Sequence, residues 1–161
     1  MGIKIAITGH TKGLGAEITK HFGKEHEVLG FSRTNGYDIK SPSDREKIIN
    51  ESIDADIFIN LVHNYYHQTD ILFELFKVWE NKNKLIINIS SVVADRESWG
   101  QDRLDLIEYK NQKRALESMA GYLSARKAVL TIKNYRISEI NFTTDVNNLN
   151  TIINEFQISK K

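Results

Sequence analysis

The chain has 161 residues, 40% of them hydrophobic and 27% charged, with a formal net charge of +1 and no cysteine. That length suits one domain with a sizeable core over residues 1–161; the balanced charge leaves no electrostatic footprint for nucleic acid, and no apolar run approaches the ~20 residues of a membrane span. Without cysteine there are no disulfides, thiolate metal sites or Cys nucleophiles, and "MGIKIAITG" enters a strand-like pattern without a leader, so a soluble cytoplasmic protein is expected.

Ile3 to Thr8 is a short apolar run that reads as a buried strand and breaks at Gly9. Leu14, Ile18 and Phe22 then recur every four residues, the stripe of a helix packed on a sheet. "HEVLGFSR" is a second strand. After the turn "TNGYDI", "SPSDREKIINES" starts a helix with Ser41 or Ser43 near its cap. "DADIFINLVHN" holds a continuous apolar run, as a strand covered on both faces should. "TDILFELFKVWEN" is helical, "KLIINISS" is another buried strand, and a long helix covers Leu106 to Arg126. "AVLTIKNYRI" is a strand and "DVNNLNTIINEF" a closing helix. Strands alternating with helices predict a doubly wound α/β domain, Rossmann-like, with a parallel sheet of about six strands and helices on both faces.

In such a sheet the first strand-to-helix turn lies where ligands bind. Gly9, Gly13 and Gly15 stand there. They allow either a plain tight turn or a close backbone approach to a phosphate, with the following helix N-terminus as the anion site. Near the end of the second strand a dinucleotide-binding domain carries an acid for NAD, or an Arg for the 2′-phosphate of NADP. Here that strand ends in Ser32 and Arg33, and Lys12 precedes the second glycine. Further on, "YKNQK" places Tyr109 and Lys113 four residues apart, on one face of the long helix. "INISSVV" ends a strand with Ser90 and Ser91.

The spacing Thr8-Gly9, Gly13, Gly15 resembles the TGxxxGxG cofactor loop of the short-chain dehydrogenase/reductase family. Asn60, Ser91 and the Tyr109–Lys113 pair follow in the family's order, so that the resemblance spans Lys4 to Ile137. It implies an oxidoreductase that moves a hydride between a nicotinamide and a small carbonyl or alcohol substrate. NADP(H) is favoured over NAD(H) through Lys12 and Arg33. The implied cofactor contacts are Gly9, Thr11, Lys12, Gly13, Leu14, Gly15, Arg33, Asp38, Ile39, Asn60, Val62, Tyr109, Lys113 and Ile137. The implied catalytic residues are Ser91, which orients the substrate oxygen, Tyr109, which protonates it, and Lys113, which lowers the tyrosine pKa. Ser90 is the register alternative to Ser91.

Several features depart from the family. Leu61, Val62 and His63 replace the rest of its NNAG element, the second crossover is short, and no residue matches its relay Asn. The polar insert "DRESWGQDRLD" is expected to form a loop over the site. A missing Pro-Gly pair and the short C-terminal region imply an open or partner-completed substrate pocket. His63 and His67 are four apart but have no third ligand, so no metal is expected. The resemblance further implies a homodimer or homotetramer built through the helices at Thr69–Asn81 and Leu106–Arg126. Two other readings are a non-catalytic NADP-binding sensor or interaction module, and a sugar-nucleotide reductase or epimerase.

Overall fold

The computed structural model describes residues 2–95, 102–138 and 141–160. Strands β1 (Lys4–Thr8), β2 (Glu27–Phe31), β3 (Ile57–Asn60), β4 (Leu85–Ser91) and β5 (Thr131–Ile137) form one parallel sheet. Their order is β2-β1-β3-β4-β5. The helices are α1 (Gly13–Phe22), α2 (Pro42–Glu51), α3 (His67–Trp79), α4 (Leu104–Ser124) and α5 (Phe142–Ser159). The architecture is the Rossmann-like α/β sheet that the alternating pattern predicts. Among the described residues no helix is long and apolar enough to cross a membrane.

Strand periodicity divides the core into two layers. Ile5 and Ile7 of β1 and Ile57 and Ile59 of β3 pack with Ile18 and Phe22 of α1 and Leu149 and Ile153 of α5. The alternate residues Ala6, Phe58 and Ile86 join Ile48 of α2, Ile71, Leu75 and Trp79 of α3, and Leu116 of α4. Every one of these side chains is at most 2% exposed, and burying an Ile or Phe that fully stabilises by about 1.5–3 kcal/mol. Both faces of the sheet are therefore covered, which is why its strands read as continuous apolar runs.

The sheet has five strands, one fewer than the expected count of about six. Phe31 runs at once into a 3-10 turn at Arg33–Asn35, and α2 starts soon after with Ser41 accepting from the Asp44 N–H at 3.2 Å. Too little chain remains there for a helix and a strand. Of the common order 3-2-1-4-5-6, the outermost strand is the one omitted, and β2 becomes the sheet edge. The apolar run "DADIFINLVHN" is also strand over only part of its length. Thr8 Oγ1 accepts from the Leu61 and Val62 N–H groups at 3.1 and 3.3 Å, and this bends the chain out of the sheet after Asn60. The long helix begins at Leu104 and ends at Ser124, both two residues earlier than the pattern predicts.

Candidate functional site

The connection leaves β2 on one side of β1 and returns as β3 on the other, so the sheet order reverses at the carboxyl end of β1. The glycine turn sits at that point. Gly9 and Gly13 have φ of 82° and 51°, in the left-handed region that L side chains avoid. A Cβ on Gly15 would lie 1.7 Å from the Gly9 carbonyl oxygen, so α1 is pressed directly onto the loop. The Gly9 N–H donates to the Phe31 carbonyl at 2.7 Å and fastens the loop to β2. Lys12 stands at the N-cap of α1 and contributes no side-chain cap. The first N–H groups of α1 and the positive end of its dipole are thereby left to an anion.

Beside this turn lies a cleft of about 550 Å³. Gly9, Thr11 and Lys12 line it from the loop, Arg33, Asp38 and Ile39 from the segment after β2, and Val62 from the loop after β3. Lys12 and Arg33 are both exposed and bring two positive charges to its rim. The other expected cofactor contacts, Gly13, Leu14, Gly15, Asn60, Tyr109, Lys113 and Ile137, are not part of that lining. Leu14 is 9% exposed and packs in the core, because it belongs to the apolar stripe of α1. Asn60 is fully buried and ties the sheet together, donating through Nδ2 to the Gln68 carbonyl at 2.9 Å and to Asn88 Oδ1 at 3.0 Å. Asn88 in turn donates to Asn134 Oδ1 at 3.1 Å, so an asparagine ladder crosses β3, β4 and β5. Gly15 is pressed against Gly9, and Ile137 ends β5 in register with Ser91.

At the carboxyl end of β4, Ser91 is 6% exposed and its Oγ accepts from the Val93 N–H at 3.2 Å. The Tyr109 phenol lies close enough to this hydroxyl for Ser91 to act on its pKa. Ser90 is oriented away and donates to Glu117 Oε2 at 2.5 Å, and Arg136 ion-pairs with both Glu117 and Asp95. Of the two candidate serines it is Ser91 that lies near enough to act on the Tyr109 phenol. Burial pushes the half-buried Tyr109 phenol above its ordinary pKa, with Ser91 opposing. Lys113 is 3% exposed, and burial pushes its pKa down to about 8, with Glu117 opposing. Its ammonium is 5.7 Å from the centroid of the Tyr109 ring. That ammonium points into the protein, donating to Gln68 Oε1 and to the Ile89 carbonyl at 2.9 Å each. In this arrangement burial, which raises the phenol pKa, outweighs any depression, and Ser91 supplies the opposing effect expected of Lys113.

Gln68 is the residue that sequence reasoning missed. It is 2% exposed and its Nε2 donates to the Asn60 and Ile89 carbonyls at 2.8 and 2.9 Å, while Oε1 receives Lys113. One signal was legible: Gln68, Ile71, Leu72 and Leu75 share the spacing of the buried face of α3. A polar residue on that stripe needs a buried partner.

Tyr109 also borders a second cleft, of about 380 Å³, lined by Asp105, Glu108 and Gln112 of α4 and by His63, Asn64 and Tyr65. His63 and Asn64 line both clefts and so mark the seam between them. His67 pairs with Asp70 at 3.0 Å. Of the polar insert expected over the site, residues 96–101 lie outside the described residues.

No protein-family model matches the chain, and none of the curated proteins does. Solved structures do resemble it. A 3-alpha-hydroxysteroid dehydrogenase from Pseudomonas sp. B-0831, complexed with NADH, superposes with a TM-score of 0.66 at 16% identity, covering 84% of this chain and 72% of that one. A short chain dehydrogenase from Burkholderia cenocepacia J2315, in complex with NADP, gives a TM-score of 0.64 at 15% identity, over 87% and 73% of the two chains. A Listeria innocua protein, lin1944, gives 0.68 at 13% identity, over 89% and 82%. At such identities the likeness concerns architecture, and the chain has the fold of the short-chain dehydrogenases.

Proposed function

We propose that the protein is an NADPH-dependent oxidoreductase of the short-chain dehydrogenase/reductase type, interconverting a small carbonyl compound and its alcohol. The observation that carries this reading is that Ser91 of β4 and Lys113 of α4 both lie close to Tyr109, whose cleft shares His63 and Asn64 with the glycine-turned one. The residues fit a dinucleotide. The left-handed glycines and the uncapped start of α1 suit a pyrophosphate, and Lys12 and Arg33 suit a 2′-phosphate, which Arg can bond in a bidentate manner. When bound, a reduced nicotinamide supplies hydride to the carbonyl carbon.

The chain's own groups handle the proton. Tyr109, kept protonated by its burial, donates to the carbonyl oxygen as that oxygen gains charge. Ser91 holds the oxygen toward the phenol. Lys113, with a pKa near 8, is mostly charged at neutral pH and stabilises the phenolate left behind. Gln68 and the Ile89 carbonyl hold the lysine in place. Proton transfer of this kind contributes about 10²- to 10⁴-fold.

Titrating the purified chain with NADPH and with NADH tests the reading. NADPH is expected to bind about tenfold tighter or better, and Arg33→Ala to bring the two affinities together. Equal affinity in the wild type removes the NADPH preference, and no binding of either removes the cofactor. A second reading, an NADP-binding module without turnover, is favoured by one observation: Lys113 faces Gln68 rather than the cleft. We also infer self-association through α3 and α4, whose exposed Phe73, Val78 and Tyr122 offer apolar surface. A monomeric mass in light scattering removes that inference. A cytoplasmic setting accords with the use of NADPH.

A further inference from the structure

One buried hydrogen-bond acceptor at the seam of the two clefts lacks a partner among the described residues. Asn64 Oδ1 is a buried atom with no hydrogen bond, and Asn64 borders both clefts. Beside it, the His63 ring stands 4.7 Å from the Tyr109 ring, centroid to centroid, with 64° between their planes. Gln112 donates through Nε2 to Glu108 Oε1 at 3.2 Å and lies beside the imidazole, bordering the same cleft. A neutral imidazole carries one ring nitrogen that donates and one that accepts. Burial, with the Lys113 charge adding to it and Gln112 opposing, holds the imidazole below the ordinary histidine range, so it is neutral at pH 7. An unpaired buried acceptor is costly, and beside a cleft a donor arriving with a ligand is one way to satisfy it.

We propose that His63 and Asn64 determine substrate choice by accepting a hydroxyl group next to the reacting carbonyl. The site then takes α-hydroxy ketones and α-hydroxy aldehydes in preference to plain carbonyl compounds. This rests on the oxidoreductase reading above and adds to it a substrate class and two specificity-determining residues. The carbonyl carbon gains hydride from reduced nicotinamide and its oxygen gains a proton from Tyr109, giving a vicinal diol and oxidised nicotinamide. Solvent returns the proton to Tyr109, and the hydroxyl held by His63 and Asn64 is not consumed.

Hydroxyacetone and butanone test the assignment, because they are alike in size and differ by a hydroxyl in place of a methyl. Their kcat/KM values with NADPH on the purified full chain are expected to differ about tenfold in favour of hydroxyacetone, mostly through KM. His63→Phe and Asn64→Leu should each bring the ratio toward one, and His63→Gln, which restores an acceptor, should recover part of it. Independently of turnover, hydroxyacetone added to the NADP-loaded chain should shift the His63 imidazole resonances, and butanone should not. An unchanged ratio in both apolar variants overturns the proposal, as does a wild type that prefers neither ketone or consumes neither. If the variants instead lose NADPH affinity in step with turnover, the acceptors serve the cofactor and the substrate assignment falls. A wild type that binds no dinucleotide fails the functional reading itself, an outcome separable from all of these.

Discussion

At the end of β1 the site is made of backbone, and at the end of β4 it is made of side chains. The first end depends on atoms that are absent: a Cβ at Gly15 has no room beside the Gly9 carbonyl, and Gly9 and Gly13 take left-handed φ. The second depends on groups that are present, Ser91, Tyr109, Lys113 and Gln68, and on their burial and bonds. The contrast matches the two tasks assigned to them. A pyrophosphate is held by N–H groups that every residue carries, so the loop has only to bring them close. Moving a proton requires particular pKa values, and these come from side chains and their burial.

If the division is real, changes at the β4 end should alter rate and pH behaviour, and changes at the β1 end should alter binding and stability. The largest expected effect is that of Tyr109→Phe. It should lower turnover by about 10²- to 10⁴-fold while leaving the NADPH affinity almost unchanged, measured by steady-state kinetics beside a binding titration. Retained turnover would mean that the tyrosine is not the acid and would favour the binding-module reading.

Next comes Lys113, through stability against pH. Its folded pKa of about 8 lies below the ordinary 10.5, so between those values the unfolded chain binds more protons than the folded one. Stability should therefore rise as the pH climbs through that window, by up to about 3 kcal/mol. Urea unfolding of the wild type and of Lys113→Met, at pH values on either side of the window, isolates the effect. An equal slope in both proteins would show that the lysine is not desolvated as described.

Gly15→Ala should follow. The close approach to Gly9 has to open, at a cost of about 1–3 kcal/mol in thermal or urea unfolding, and dinucleotide binding should weaken with it. Gly121→Ala is the counterpart with the smallest effect. Nothing lies within 4 Å of a Cβ at that position in α4, so alanine should stabilise by about 0.5–1 kcal/mol and leave binding alone. If both alanine variants behave alike, the glycine turn is not a tight cradle.

Some of the site was visible before the fold and some was not. The glycine turn, Ser91 and the Tyr109–Lys113 pair were legible because each is a local pattern, a turn or one helix face. Asn60 was read as a cofactor contact, and the fold shows in addition that it forms a buried ladder with Asn88 and Asn134. Nothing in its own segment announces that ladder, since its rungs come from strands far apart in the chain. Gln68 was missed for the same reason. Its place on the stripe of Ile71, Leu72 and Leu75 marks it as buried, but its role appears only when α3 is laid against β4 and α4.

By itself the sequence determined the alternating strands and helices, the two-sided core and the location of the first turn. Those follow from apolar periodicity and from glycine, both local properties of the chain. The tertiary structure decided the five-strand order, the turn of Ser90 toward Glu117, the inward direction of Lys113 and the seam at His63 and Asn64. Each of these depends on which strands pair and how α4 lies across them. Hydrogen bonds and desolvation act only over a few ångströms, so they exist only once distant segments have been brought together.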